Sequence, residues 1–95
     1  MRISFIGGGV MAEAIISGVL EAGIALPEDI SVSDPDDGRR SYLAARYNLS
    51  TRESNLEVLD GADIVVIAVK PQTLPQVMSG LKGKLGSGNV VLSIV

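Results

Sequence analysis

Residue types able to do covalent or acid–base chemistry are scarce in this sequence. Among 95 residues there is no Cys and no His, which excludes disulfides, thiol nucleophiles, imidazole bases and zinc sites built on those ligands. What remains is backbone groups, carboxylates, hydroxyls, Lys and Arg, or a bound cofactor. The stretch spaced for the last of these is "FIGGGVMAEAI" at residues 5–15. Gly7, Gly9 and Ala12 fit the pattern G-x-G-x-x-A. In that pattern the first glycine makes a tight turn, the second lets a pyrophosphate approach the backbone, and the small third residue lets a helix pack on the first strand. Unpaired amides at Val10, Met11 and Ala12 would then face an anion, helped by the helix dipole. Taken alone, such a loop is equally a plain strand-to-helix turn, and its context decides.

A carboxylate roughly 20 residues beyond such a loop is placed to meet the ribose of an adenosine. Asp34 stands there, although an Asp at that point also serves to start a turn or cap a helix. Arg39 and Arg40 follow, and an Arg near the loop takes a 2′-phosphate in some dinucleotide sites. For Arg40 a solvated helix position is the better reading.

The elements that must position these residues are legible from the pattern. Residues 2–6 form a short apolar strand ending at glycine. Met11, Ala14, Ile15, Val19 and Ala22 recur at helical spacing over 10–22, with Gly23 where the helix would stop and Pro27 in the following loop. Residues 30–33 read as a second strand closed by "DPDD", where Asp34 or Asp36 caps a helix carrying Arg39 to Tyr47 and ending near Asn48. A short strand over 49–51 and a short helix over 55–60 follow. Residues 63–69, "DIVVIAV", are apolar on both faces and so predicted to be buried on both. Pro71 opens a helix over 72–82, where its missing N–H is harmless, and 89–95 form a final strand. This β-α alternation predicts one three-layer, doubly wound parallel sheet of Rossmann type with right-handed crossovers. Ligands of such sheets sit beyond the carboxyl ends of the strands, at the switch point. The first strand delivers the glycines to that edge, and the fourth delivers "AVKP".

Composition bounds the rest. Hydrophobic residues are 46% of the chain and aromatics 3%, so the core is built of Ile, Val, Leu and Ala. No apolar run approaches the ~20 residues of a membrane span, and no leader pattern opens the chain; a soluble cytoplasmic protein is expected. A net charge of −3 without a basic cluster argues against nucleic acid, and neither a metal nor a membrane partner is expected.

Three stretches, "ISFIGGGVMAEAIISGVL", "ADIVVIAVKPQTLPQVM" and "NVVLSIV", together resemble pyrroline-5-carboxylate reductase over the whole chain, in order and at the right spacing. The Gly-loop followed by Met-Ala is shared with several relatives, whereas "AVKPQ" with its spacing from "NLEVLDGAD" is far more specific. The family reduces 1-pyrroline-5-carboxylate to L-proline, the last step of proline biosynthesis, by hydride transfer from NADPH or NADH to an imine carbon. The resemblance implies that Gly7, Gly9, Val10, Met11 and Ala12 hold the pyrophosphate. It places Ser33, Asp34 and Pro35 around the adenosine ribose, with Asn55 reaching the same half; Arg39 joins them on the residue-level reading above. Ala68, Val69, Lys70 and Pro71 would border the nicotinamide. Lys70, otherwise a helix-entry lysine in solvent, takes a structural or cofactor role on this reading rather than an acid–base one.

Two positions depart from the family pattern. Val10 replaces the Asn or Gln often found in the loop and keeps only backbone contacts. Asp34 stands where relatives commonly have a small polar residue, and its charge opposes a 2′-phosphate, which leaves the choice between NADPH and NADH open. The family continues after "SIV" into an all-helical domain that forms the dimer and most of the substrate pocket. The expectation is therefore a cofactor domain over 1–95, without catalytic residues of its own and inactive alone, from an enzyme that is homo-oligomeric through the helical domain. Alternatives are the cofactor domain of a related oxidoreductase, of the F420-dependent NADP reductase, prephenate dehydrogenase or 3-hydroxyacid dehydrogenase type, against which "VKPQ" argues, or a stand-alone dinucleotide-binding sensor.

Overall fold

Short apolar strands with β-branched residues on both faces can be buried only if helices cover both sides. The computed structural model, which describes residues 1–85 and 90–94, has that arrangement. Strands β1 (Ile3–Ile6), β2 (Ile30–Ser33), β3 (Ser50–Arg52), β4 (Ile64–Ile67) and β5 (Val90–Ser93) form a five-stranded sheet in the order β3-β2-β1-β4-β5. Every pairing is parallel. Helices α1 (Val10–Glu21), α2 (Asp37–Tyr47) and α3 (Leu74–Leu81) connect them, with 3-10 turns at Pro27–Asp29 and Asn55–Val58. The fold is a Rossmann-type α/β sheet.

The in-register rows explain the layers. Ile3 lies beside Ile30 and Ile64, and Phe5 beside Val32 and Val66. These side chains share the face packed by Ala12 and Ile16 of α1 and by Leu43 of α2. Their alternates, Ile6, Val65 and Ile67, meet Val58, Val77 and Leu81 on the other face. Phe5, Ile16, Ile30 and Leu43 have no exposed surface, and burying each contributes about 1.5–3 kcal/mol. Winding runs outward from β1 to β3, then restarts from β1 toward β5, and the connecting elements change face at that reversal, as crossovers of constant hand require. The reversal places a crevice between the ends of β1 and β4.

Several boundaries differ from the sequence expectation. The buried residues of α1 are Ala12 and Ile16; of the expected row, Ile15 and Val19 pack partly buried against the core, whereas Met11, Ala14 and Ala22 are exposed. Almost every position there is apolar or small, so periodicity leaves the phase open, and the close approach at Ala12 sets it. Helix α3 begins at Leu74, with Pro75 in its first turn. Pro71 therefore does not open the helix; it stands in the turn before it, where the Thr73 amide donates to the Lys70 carbonyl at 2.9 Å, and Lys70 is a loop residue rather than a helix-entry lysine. The Pro27 loop closes as a 3-10 turn, with the Asp29 carboxylate accepting the Leu26 amide at 3.1 Å. Strand β4 is shorter than 63–69: the Asp63 carboxylate accepts the Arg2 amide at 2.8 Å just before it, and beyond Ile67 the Ala68 amide still donates to the Ile6 carbonyl at 2.8 Å as the chain turns off the sheet. Residues 89 and 95 of the expected last strand lie outside the described residues. Among the described residues, no helix is long and apolar enough to cross a membrane.

Candidate functional site

The glycine run turns sharply off β1. Gly7 has φ +99°, a region that side chains avoid, and a Cβ there would collide with the Ala68 carbonyl. The turn is thus pressed against the end of β4, and the Gly7 amide donates to the Ser33 carbonyl at 2.8 Å. Gly8 is tight for another reason: a Cβ would stand 2.8 Å from Leu43 Cδ1 and 3.1 Å from Val32 Cγ1. Gly9 is different again. Its φ of −75° suits any residue, and a Cβ would meet nothing within 4 Å. Neither backbone nor packing inside the fold demands glycine at that position.

Helix α1 starts without a side-chain cap. Among the described residues the amides of Gly9, Val10, Met11 and Ala12 make no hydrogen bond, and the first paired amide is that of Glu13, on the Gly9 carbonyl at 2.9 Å. Helix α2 is closed by contrast, since the Asp36 carboxylate takes the Gly38 amide at 3.0 Å and the Arg39 amide at 3.4 Å. An open helix start is a site of positive potential with donors in place.

Two clefts flank this start. One, of about 410 Å³, is bordered by Gly7, Ser33, Pro35, Asn55 and Val69, with Glu53, Ser54, Leu56, Thr73, Gln76 and Gly80. The other, of about 320 Å³, is bordered by Gly9, Val10, Met11, Ala68, Val69, Lys70, Pro71 and Ile94. Val69 borders both. Of the residues singled out from sequence, all but Ala12, Asp34 and Arg39 line one cleft or the other. Ala12 is fully buried beneath the helix. Val10 and Met11 are 79% and 62% exposed, so the second cleft has an apolar rim, with Lys70 as the one charged side chain among the described residues that border it.

Asp34 and Arg39 turn toward the loop itself. The Asp34 carboxylate accepts the Gly8 amide at 2.8 Å and the Asp36 amide at 2.9 Å. Arg39 donates Nε to the Gly8 carbonyl and Nη2 to Glu13 at 2.6 Å. Glu13 also accepts the hydroxyls of Tyr42 and Tyr47, at 2.7 and 2.6 Å. The two tyrosine hydroxyls and Arg39 hold its carboxyl down to about 2, from 4.5, and the same contact with Glu13 raises Tyr47. In the first cleft, fully buried Ser33 donates to the Asn55 side-chain oxygen at 2.7 Å. Arg40 lies apart from the clefts, its guanidinium 3.5 Å from Asp37. Sequence reasoning missed Gly8, Glu13, Tyr42 and Tyr47, and also the α3 row Thr73, Gln76 and Gly80, whose helical spacing was the available signal.

The family profile described as NADP oxidoreductase, coenzyme F420-dependent, matches residues 2–95. The chain belongs to that family. This member of the NADP oxidoreductase family is 39% identical over 93 residues to a pyrroline-5-carboxylate reductase of Methanosarcina acetivorans, covering 98% of this chain and 34% of the relative. It is 40% identical over 92 residues to one of Haemophilus influenzae, covering 97% and 33%. Among solved structures, a pyrroline-5-carboxylate reductase from Coxiella burnetii superposes with a TM-score of 0.88 at 32% identity, covering 97% of this chain and 34% of that one. The Plasmodium falciparum pyrroline carboxylate reductase, solved with NADP bound, gives 0.81 at 29% identity, over 99% of this chain and 33% of that one. A prephenate dehydrogenase from A. aeolicus, at 18% identity with a TM-score of 0.84 over 98% of this chain and 33% of that one, shows the same fold. The chain spans about a third of the length of the curated relatives it matches.

Proposed function

We propose that these residues form the NADP(H)- or NAD(H)-binding domain of a pyrroline-5-carboxylate reductase, a cytoplasmic enzyme that reduces 1-pyrroline-5-carboxylate to L-proline. The observation that carries the reading is the open start of α1: unpaired amides from Gly9 to Ala12 beside a Gly9 whose missing Cβ leaves empty space. A pyrophosphate fits those donors in charge and in room. Bound there, the coenzyme supplies a hydride for transfer to the imine carbon.

The chain's own residues bind and orient. The adenosine half belongs to the cleft of Ser33, Pro35 and Asn55, where the Ser33 hydroxyl fixes the Asn55 amide and leaves its nitrogen for a ligand acceptor. The nicotinamide half belongs to the cleft of Met11 and Ala68–Pro71. Val10, Met11 and Ile94 keep water from one side of it, and Lys70 supplies positive charge at the rim. The acceptor's seat and the homo-oligomer contact belong, on this reading, to the part of the longer relatives outside the match.

Titration with NADPH and NADH, followed by nicotinamide fluorescence, is the test. Both are expected to bind, and Gly9→Val is expected to abolish binding in a protein that still folds, with a stability loss of no more than about 1 kcal/mol from the changed N-cap. A parent chain that binds neither, or a Gly9→Val variant that binds like the parent, would overturn the reading.

A further inference from the structure

Glu13 borders neither cleft, yet both of its carboxylate oxygens are taken: one by Arg39, the other by Tyr42 and Tyr47. The Arg39 guanidinium lies 4.9 Å from the centre of the Tyr42 ring and reaches past Glu13 to the Gly8 carbonyl. On the other side of Gly8, the amide is held by Asp34 at 2.8 Å. The middle glycine of the loop is therefore gripped at its N–H and its C=O by side chains of distant residues.

Resting on the coenzyme reading above, we propose that Glu13, with Tyr42 and Tyr47, is a positioning residue for the dinucleotide loop. It holds Arg39 on the Gly8 carbonyl, and Arg39 serves the loop rather than a 2′-phosphate. The carbonyl and the following N–H of one peptide point in opposite directions, so holding the Gly8 carbonyl inward turns the Gly9 amide outward, toward the anion site. Three consecutive glycines have the greatest backbone freedom a chain can have, and a loop ordered before binding loses less on binding. Arg39 suits this task because its planar fork spans two acceptors, Gly8 O and Glu13 Oε1, which a lysine ammonium cannot match in geometry. Two of its three nitrogens are engaged this way.

Glu13→Gln and Arg39→Lys, titrated with NADPH and with NADH, test the proposal together with ¹H–¹⁵N spectra of the coenzyme-free protein. In both variants the two dissociation constants are expected to rise by the same factor, about tenfold. The Gly9 amide signal is expected to shift or broaden before any coenzyme is added. Parent-like affinities with a lowered melting temperature would make the cluster a tie between helices and overturn the proposal. Selective loss of NADPH would also overturn it, by assigning Arg39 to the 2′-phosphate. If Glu13→Gln fails to fold, Arg39→Lys decides alone, since it keeps the charge beside Glu13. A parent that binds neither coenzyme overturns the coenzyme reading and the proposal with it. A Gly9 signal unmoved in both variants overturns the proposal while leaving that reading intact.

Discussion

The Asp34 carboxylate accepts the Gly8 amide at 2.8 Å across 26 residues of sequence, so the end of β2 holds the glycine loop by its middle. The Asp36 amide takes the other oxygen at 2.9 Å. This charge is therefore fixed in place beside Ser33 and Pro35, which border the larger cleft.

Replacing Asp34 by Asn keeps the shape and removes the charge. A 2′-phosphate at ~4 Å from a carboxylate meets about 4 kcal/mol of repulsion per unit charge at an effective dielectric of ~20, before screening. Solvent and salt reduce this at a half-exposed group. The expected result is a shift of the NADPH/NADH affinity ratio toward NADPH by about tenfold, equivalent to about 1.4 kcal/mol. Measured dissociation constants for both coenzymes decide the point, and an unchanged ratio would place the ribose out of reach of Asp34.

The glycines of the loop separate into different jobs. Gly7→Ala meets an unfavourable φ and the Ala68 carbonyl, so it should lower stability by more than the roughly 1–2 kcal/mol of a left-handed residue. Gly9→Ala changes only an N-cap, for which a loss of no more than about 1 kcal/mol is expected. Denaturant unfolding of the two variants should therefore diverge, while Gly9→Ala alone weakens coenzyme binding in a folded protein. Equal destabilisation by both would remove the distinction.

The Glu13 cluster makes a pH-dependent contribution. Its carboxyl is lowered from 4.5 to about 2 in the fold, so the ionised form is the one the native state favours. The stability it contributes is fully present above pH 4.5 and is lost as pH falls toward about 2. Unfolding of the parent and of Glu13→Gln between pH 7 and pH 2 should show a gap that is constant down to about pH 5 and closes below. A gap independent of pH would mean that the substitution acts through packing alone.

Turnover should separate from binding. Hydride transfer needs the acceptor carbon held within roughly 3–3.5 Å, and such orientation is worth ~7–11 kcal/mol of barrier. Among the described residues, the ionisable side chains bordering the clefts are Glu53 in one and Lys70 in the other. Neither cleft thus offers, among the described residues, a cluster of cationic groups to hold the carboxylate of a second small molecule. NADPH oxidation with 1-pyrroline-5-carboxylate should be undetectable for these 95 residues under conditions where NADPH binds. Rates near those of a full-length relative would move the substrate seat into this domain.

Most of the fold was legible because each strand–helix unit carries its own pattern: β2 falls on 30–33 as read, and Asp36 caps α2 as one of the two candidates. The tight turn at Gly7 and the delivery of Ala68–Pro71 to the same sheet edge were legible because each follows directly on its own strand, and both stretches border a cleft. The phase of α1 was not, since Val10 to Leu20 offers almost no polar residue to mark the outside. Nor was the start of α3, where Pro71 and Pro75 are both compatible with a first turn and only the Lys70–Thr73 turn separates them. The cluster on Glu13 escaped for a different reason. Its partners lie 26, 29 and 34 residues away, and nothing periodic in the sequence announces that α2 lays Arg39, Tyr42 and Tyr47 against the first turn of α1.

The central place of β1 has a kinetic consequence. Ile3 pairs with Ile30 on one side and with Ile64 on the other, so β1 is made before either neighbour and waits for β4 until β2 and β3 have been made. During synthesis at about 5–20 residues per second, β1, β2 and β3 are complete while the other flank of β1 is still a bare edge, the kind of edge that templates misassociation. Loop-closure entropy for the β1–β4 pairing grows only slowly with length, so the delay is one of order rather than of a high barrier. Because Gly7 turns against the Ala68 carbonyl, the wall behind the glycine loop arrives only with β4. A ligand held by that loop would therefore stabilise the state in which β4 is already in place, by mass action.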